Sequence, residues 1–262
     1  MIYVDLKGRM CNQMFQMAAA KALALENNDN FKCSYNVSGI KPSLEQTKKY
    51  RMTIFKNIQF EVFKINKKNI DEGTHDFSYK EIDYKNGICL SGYYQSEKYF
   101  IHREKEIREM FRCSPKVLKF IEKKYCQLLH KNNTCAVHIR RGDYLKYKEF
   151  HNNLGLDYYR ASFEQMKGKY FVFFSDDILW CKNNFKDLEG TFIDSKSDII
   201  DFYLMSMLKN QIIANSSFSW WAAWLNTNKK KNVIAPKKWF GNKNSDLITE
   251  DLLPLSWEVI DA

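Results

Sequence analysis

The run Cys135-Ala136-Val137-His138-Ile139-Arg140-Arg141-Gly142-Asp143-Tyr144 carries an apolar stretch into a histidine, two arginines and a carboxylate. A guanidinium at a strand end is a planar fork of N–H groups suited to a diphosphate, and Asp143 is spaced to orient it through a second charged pair. In an extended segment, alternation puts His138 and Arg140 on one face and Arg141 on the other. The competing reading is a surface salt-bridge cluster, which an isolated Arg-Arg-x-Asp more often is.

A second apolar run, 170–174, ends in Ser175-Asp176-Asp177. Those carboxylates could bind a metal, pair with an arginine, accept from the N–H edge of a guanine, or cap the following helix, which is the default. A third run, 211–214, enters Asn215-Ser216-Ser217-Phe218 and then Ser219-Trp220-Trp221. Small hydroxyl residues at a helix start present backbone N–H groups to an anion, whereas the tryptophans read as a buried helix face. The fourth place is the first turn, Gly8-Arg9-Met10-Cys11-Asn12. It is neither GxGxxG nor GxxxxGK[ST], which argues against a nicotinamide dehydrogenase and a P-loop kinase. Gly8, Arg9 and Asn12 could instead face a substrate across a cleft.

All four places follow apolar runs, so the elements around them matter. Alternation over 2–6 followed by a helical pattern from Asn12 predicts strand, turn and helix. Residues 33–87 are rich in Lys and Asn, lack a sustained period and read as loops and small elements. A strand over 88–94 and helices over 101–111 and 117–129 precede a domain boundary near 131. Strands over 134–139, 170–174, 191–193, 211–214 and 233–235 then alternate with helices over 158–166, 177–184, 198–208 and 218–225. Such alternation predicts βαβ units in a mainly parallel sheet, where ligands sit beyond the carboxyl ends of the strands. The fold class is α/β, with an N-terminal domain over 1–130 and a C-terminal domain over 131–262.

The chain has 262 residues, 45% of them hydrophobic and 15% aromatic, enough for one large core or two smaller ones. It holds no apolar run long enough to span a bilayer and no signal peptide is legible at its start. Seven cysteines without a CxxC pair suit reduced, buried thiols and a cytoplasmic compartment. The net charge of +10 would suit nucleic acid, an anionic membrane or a phosphorylated small molecule. The lysines are dispersed in pairs and triplets, and no basic and aromatic platform is recognisable, so a nucleic-acid-binding module is the weaker reading.

Together these segments resemble the α-1,2-fucosyltransferase family and its α-1,6 and protein O-fucosyltransferase relatives. The 8–16 segment is similar to the family's G-x-L-G-N-Q-M-F-Q opening, with Met10 and Cys11 as departures. Residues 138–144 reproduce H-x-R-R-G-D-Y, and 156–159, 174–177, 203–206, 214–225 and 234–240 also read as family blocks in order. The resemblance implies a GT-B arrangement of two facing Rossmann-like domains, with GDP-fucose held by the C-terminal one. It implies that Arg140 grips the β-phosphate and His138 lies near the guanine. Asp176 or Asp177 would accept from the base, and Ser216, Ser217 and Phe218, after Asn215, would line phosphates and base.

The implied reaction is an inverting displacement onto a glycan hydroxyl, O-2 of a galactose, with no metal and no cofactor besides the GDP-fucose substrate. Arg140 would stabilise the departing diphosphate, and His151, or a carboxylate of the N-terminal half, would take the acceptor proton. A metal-dependent transferase using Asp176 and Asp177 is the rival enzyme. The partners expected are GDP-fucose and a galactose-containing glycan, with peripheral contact to a membrane-linked acceptor and no nucleic acid.

Overall fold

The computed structural model describes residues 1–38, 42–64, 67–74 and 77–261. The chain divides into two compact units, Met1–Ser114 with Leu247–Pro254, and Pro115–Asp246 with Leu255–Ala262.

The first unit contains β1 (Ile2–Val4), α1 (Met10–Glu26), β2 (Phe31–Ser34), α2 (Leu44–Met52), β3 (Phe60–Glu61), β4 (Ile70–Asp71), β5 (Cys89–Leu90) and α3 (Glu104–Met110). Among the described residues its strands form a parallel sheet of order β3-β2-β1-β5-β4. Helix α1 begins at Met10, earlier than Asn12, because Met10 and Cys11 are buried in the core with the alanines that follow. The segment that reads as loops and small elements supplies three short strands and a helix. Helix α2 does carry a local signal, a capping box in which Ser43 and Gln46 satisfy each other's backbone N–H groups. Its strands are two to four residues long, too short for period-2 alternation to register.

The second unit contains α4 (Pro115–His130), β6 (Thr134–Ile139), α5 (Gly142–Lys146), α6 (Leu156–Gln165), β7 (Tyr170–Ser175), α7 (Ile178–Asn184), β8 (Gly190–Phe192), α8 (Asp198–Met207), β9 (Asn210–Ile212), α9 (Ser217–Leu225), β10 (Val233–Pro236) and β11 (Glu258–Ile260). Its parallel sheet runs β11-β10-β9-β6-β7-β8. Strand β6 is central and all six of its residues are buried. Apolar side chains of β6, α6, β7 and α7, among them Val137, Tyr159, Phe173 and Phe185, make one cluster. On α9, Trp220, Trp221 and Trp224 are buried, forming the buried helix face that the sequence predicts.

The division between units falls after Ser114 rather than near 131. Helix α4 buries Ile121 and Leu128 and packs on α8, an element of the second unit. Conversely, 247–254 joins the first unit, where Asp251 pairs with Lys98 at 2.5 Å and accepts from the backbone N–H of Tyr79 at 2.6 Å. The expected strand over 88–94 shrinks to Cys89–Leu90, since the chain turns at Tyr94, whose φ of 51° no strand residue adopts.

Candidate functional site

In the second sheet, β7 and β8 lie on one side of β6, while β9, β10 and β11 lie on the other. The strand order therefore reverses between β6 and β9, the place in an open parallel sheet where a crevice opens beyond the carboxyl ends. Arg140 follows β6 and Asn215 to Phe218 follow β9, so the predicted residues gather at that switch point. Two adjacent buried tyrosines of α6 pin both strand ends. Tyr158 Oη donates to the Ile213 carbonyl at 2.6 Å, and Tyr159 Oη donates to the His138 carbonyl at 3.2 Å.

Arg140 is held from two sides. Its Nη2 donates to Asp143 Oδ1 at 2.5 Å and its Nη1 lies 2.9 Å from Asp176 Oδ2. Both partners occupy the guanidinium edges and leave further N–H groups unspent, which is how a fork is aimed at a third anion. A Cβ at Gly142 would stand 2.5 Å from Asp176 Oδ2, so only glycine lets that carboxylate reach across. Arg141 has a different environment: Nε pairs with Asp177 Oδ2 at 3.2 Å, and the guanidinium lies 4.0 Å from the centre of the Trp180 ring.

The two aspartates after β7 therefore take two of the four alternatives the sequence leaves open, pairing with arginines and, at Asp177, capping the next helix. Asp176 Oδ1 also accepts from the Arg141 N–H at 2.9 Å, and Asp177 caps α7 by accepting from Trp180 N at 3.1 Å. With two positive and three negative side chains, this cluster orients Arg140 rather than supplying net positive charge. The extra field for an anion comes from the start of α9. There Ser216 is the N-cap, its Oγ accepting from the Phe218 N–H at 3.4 Å, and the first-turn N–H groups carry the positive end of the helix dipole.

His138 is buried, with Nδ1 2.8 Å from Ser219 Oγ. The same hydroxyl lies 3.3 Å from the carbonyls of Ala214 and Ser216. Donating to those carbonyls avoids lone-pair repulsion, so Nδ1–H donates to Oγ and Nε2 keeps its lone pair. Burial, and then Arg140, push the imidazole down to about 3, so it is neutral at physiological pH. Its ring lies 5.5 Å from that of Phe218, which in turn lies 5.4 Å from Phe202 on α8.

Asn215 spends both amide N–H groups on the main chain, donating to Asn152 O at 2.8 Å and Trp239 O at 2.7 Å. Its own carbonyl accepts from Tyr144 Oη at 2.9 Å. Tyr144 brings in His151, because its ring stacks on that imidazole with centroids 4.0 Å apart. Burial lowers the His151 pKa, Asp143 raises it and Arg140 lowers it, with a net downward shift.

Asp201, in the first turns of α8 next to Phe202, was not among the predicted residues. Burial raises its carboxyl to about 6, against a hydrogen bond from Ser195 Oγ at 2.6 Å. The available signal was a charge inside the apolar run Ile199-Ile200-Asp201-Phe202.

The remaining predicted residues lie in the first unit, after β1. Arg9 is the N-cap of α1 and is exposed, the Gly8 carbonyl accepts from Gln13 Nε2 at 2.8 Å, and Asn12 Oδ1 accepts from Gln95 Nε2 at 3.0 Å. Among the described residues no group of three or more His, Cys, Asp or Glu is arranged to hold a metal ion. No described helix is long and apolar enough to cross a membrane.

The sequence matches glycosyl transferase family 11 over residues 1–260. It is 32% identical to an Escherichia coli alpha-1,2-colitosyltransferase over 99% of each chain. It is 30% identical to the Escherichia coli O-antigen biosynthesis glycosyltransferase WbnK over 95% of this chain and 98% of that one. The Bos taurus galactoside 2-alpha-L-fucosyltransferase SEC1 is 24% identical over 85% of this chain and 63% of its own. Among solved structures, a mutant of Arabidopsis thaliana FUT1 in complex with GDP superposes with a TM-score of 0.51 at 12% identity, covering 99% of this chain and 76% of that one. The fucosyltransferase NodZ from Bradyrhizobium superposes with a TM-score of 0.50 at 12% identity, covering 84% and 92%. The fold is that of these fucosyltransferases.

Proposed function

This chain belongs to glycosyl transferase family 11, and we propose that it transfers L-fucose from GDP-fucose to O-2 of a galactose in a surface glycan. The observation that carries the reading is Arg140, clamped by Asp143 and Asp176 at the β6/β9 switch point beside the start of α9. The sugar and linkage are supported by the names of the relatives, which transfer fucose or colitose in α-1,2 linkage. The surface-glycan acceptor is supported by the O-antigen relative.

In the proposed reaction the galactose O-2 attacks the anomeric carbon as the bond to the β-phosphate oxygen breaks, with inversion, and GDP leaves with the electron pair. The acceptor proton passes to His151, which its lowered pKa keeps unprotonated at neutral pH. Arg140 and the α9 N–H groups stabilise the charge that grows on the diphosphate. No metal is assigned, because Asp176 and Asp177 are directed at guanidinium groups rather than at a common centre. For the base, Asp201 is the better reader of the guanine N–H edge. It has no guanidinium partner among the described residues, whereas Asp176 and Asp177 both have one. A nucleotide sugar and the buried thiols Cys33, Cys89, Cys135 and Cys181 suit a cytoplasmic setting.

The colitosyltransferase relative supports a second donor, GDP-colitose, whose sugar lacks the 3-hydroxyl of fucose. Incubation with GDP-fucose, GDP-colitose and UDP-galactose against a panel of galactosides separates the readings. Product from GDP-fucose supports the proposal, product from GDP-colitose alone changes the sugar, and product from UDP-galactose alone overturns it.

A further inference from the structure

His151 lies outside any helix, on a segment held by a second one. His151 and Phe240 form an antiparallel bridge, the Phe150 carbonyl accepts from the Gly241 N–H at 3.0 Å, and the Glu149 carbonyl accepts from the Lys243 N–H at 2.9 Å. A Cβ at Gly241 would stand 2.6 Å from the Glu149 carbonyl, so the two segments come this close only at a glycine. The Asn215 side chain sits where this pair meets the start of α9. Its Nδ2 reaches one carbonyl of each segment, Asn152 O at 2.8 Å and Trp239 O at 2.7 Å, and the residue is only 2% exposed. The next residue, Ser216, is the N-cap of α9.

We infer that Asn215 is a positioning residue: its amide holds the His151 segment against the start of α9, so that the base for the acceptor and the N–H groups for the diphosphate keep one fixed spacing. The inference rests on the transferase reading above. Asn215 was expected to face the nucleotide, but both of its amide N–H groups are used within the protein, which leaves none for a phosphate or a guanine. Its main chain completes the hold. The Asn215 carbonyl accepts from Tyr144 Oη at 2.9 Å, and the Tyr144 ring lies on the His151 imidazole. The side chain of one residue thus anchors the backbone that carries His151, and its carbonyl anchors the ring that fixes the imidazole plane. The chemistry calls for an amide. Serine offers one hydrogen for two carbonyls, and a carboxylate offers none and sets a charge against both oxygens. A base must also stand within hydrogen-bond reach of the proton it takes, so a small displacement of the segment costs turnover without touching nucleotide binding.

The test combines ring-labelled histidine NMR on the full chain with steady-state kinetics. The wild-type His151 ring signals, identified as those missing from His151→Phe, should be displaced upfield by the Tyr144 ring stacked on them. Asn215→Ala keeps the main-chain carbonyl that Tyr144 uses and removes only the two side-chain ties. In that variant the His151 signals should move back toward those of an exposed histidine, and kcat should fall at least about tenfold. GDP affinity and KM for GDP-fucose should stay within about twofold of wild type. Asn215→Ser, which keeps one donor, should lie between, and carries the same comparison should the alanine variant fail to melt cooperatively. On the His151→Phe background, Asn215→Ala should lower kcat little further, because no base is left to misplace. Unmoved His151 signals in a folded variant, or losses that multiply in the double variant, overturn the positioning role. A fall in GDP affinity matching the fall in kcat overturns it too, since Asn215 would then belong to the nucleotide site. Wild-type turnover by His151→Phe overturns the base reading, and with it any effect of the hold on catalysis, while the ring signals still decide whether Asn215 holds the segment. Failure of wild type to bind GDP overturns the transferase reading itself.

Discussion

The ring of Tyr144 lies flat on that of His151, with centroids 4.0 Å apart and planes 4° from parallel. The stack joins the imidazole to the Arg140 cluster, because Tyr144 also lies 5.4 Å from the Arg140 guanidinium and donates to the Asn215 carbonyl. His151→Phe should keep the stack and remove the base, lowering kcat by about two orders of magnitude with little change in KM for the nucleotide sugar. The folded His151 pKa lies below 6.5, so wild-type kcat should hold at neutral pH and fall as acidification protonates the ring. A pH–rate profile checks this, since the acid limb should vanish in the variant.

Arg140→Ala should lower kcat by roughly two to four orders of magnitude, on the scale of losing a major transition-state hydrogen-bond donor. GDP binding, followed by calorimetry, should weaken less than turnover, because the charge on the leaving group grows during bond breaking. Arg140→Lys should rescue little, since an ammonium cannot bridge Asp143 and Asp176 as the planar fork does. Arg141→Lys should be milder, its losses being the Trp180 stack and the Asp177 pair.

Asp201→Asn should stabilise the fold while damaging recognition of the base. The folded pKa is raised from 3.8 to about 6, so the carboxyl favours the native state below 3.8 and loses that contribution as pH rises through 6. The asparagine variant should therefore melt higher than wild type above pH 6, by a stability increment of about 3 kcal/mol. The advantage should shrink as pH falls toward 4. Calorimetry should show its preference for GDP over ADP reduced. Asp177→Asn keeps an N-cap acceptor for α7 and loses only the partly exposed pair with Arg141, so it should change stability by less than about 1 kcal/mol and leave that preference intact.

Turnover should survive excess EDTA, since Arg140 and the α9 N–H groups occupy the place of a divalent cation in the proposed reaction. Loss of activity that Mn²⁺ restores would favour the metal reading of Asp176 and Asp177.

Residues near one another in the chain made the second unit legible from sequence. Strands 134–139 and 170–174 differ from β6 and β7 by one residue at most, because continuous apolar runs of that length register locally. His138, Arg140 and Ser216 stand at strand and helix ends for the same reason, and the family blocks around them named the chemistry. Which partner each residue takes depended on contacts that no local period encodes. Asp176 reaches Arg140 from 36 positions away, Gln95 reaches Asn12 from 83, and α4 joins the second unit by packing on α8. Burial is likewise a property of the packed chain, so the sequence shows Asp201 only as a charge inside the apolar run 199–202. Only the elements closing around it disfavour its charge and set it apart from the arginine-paired aspartates.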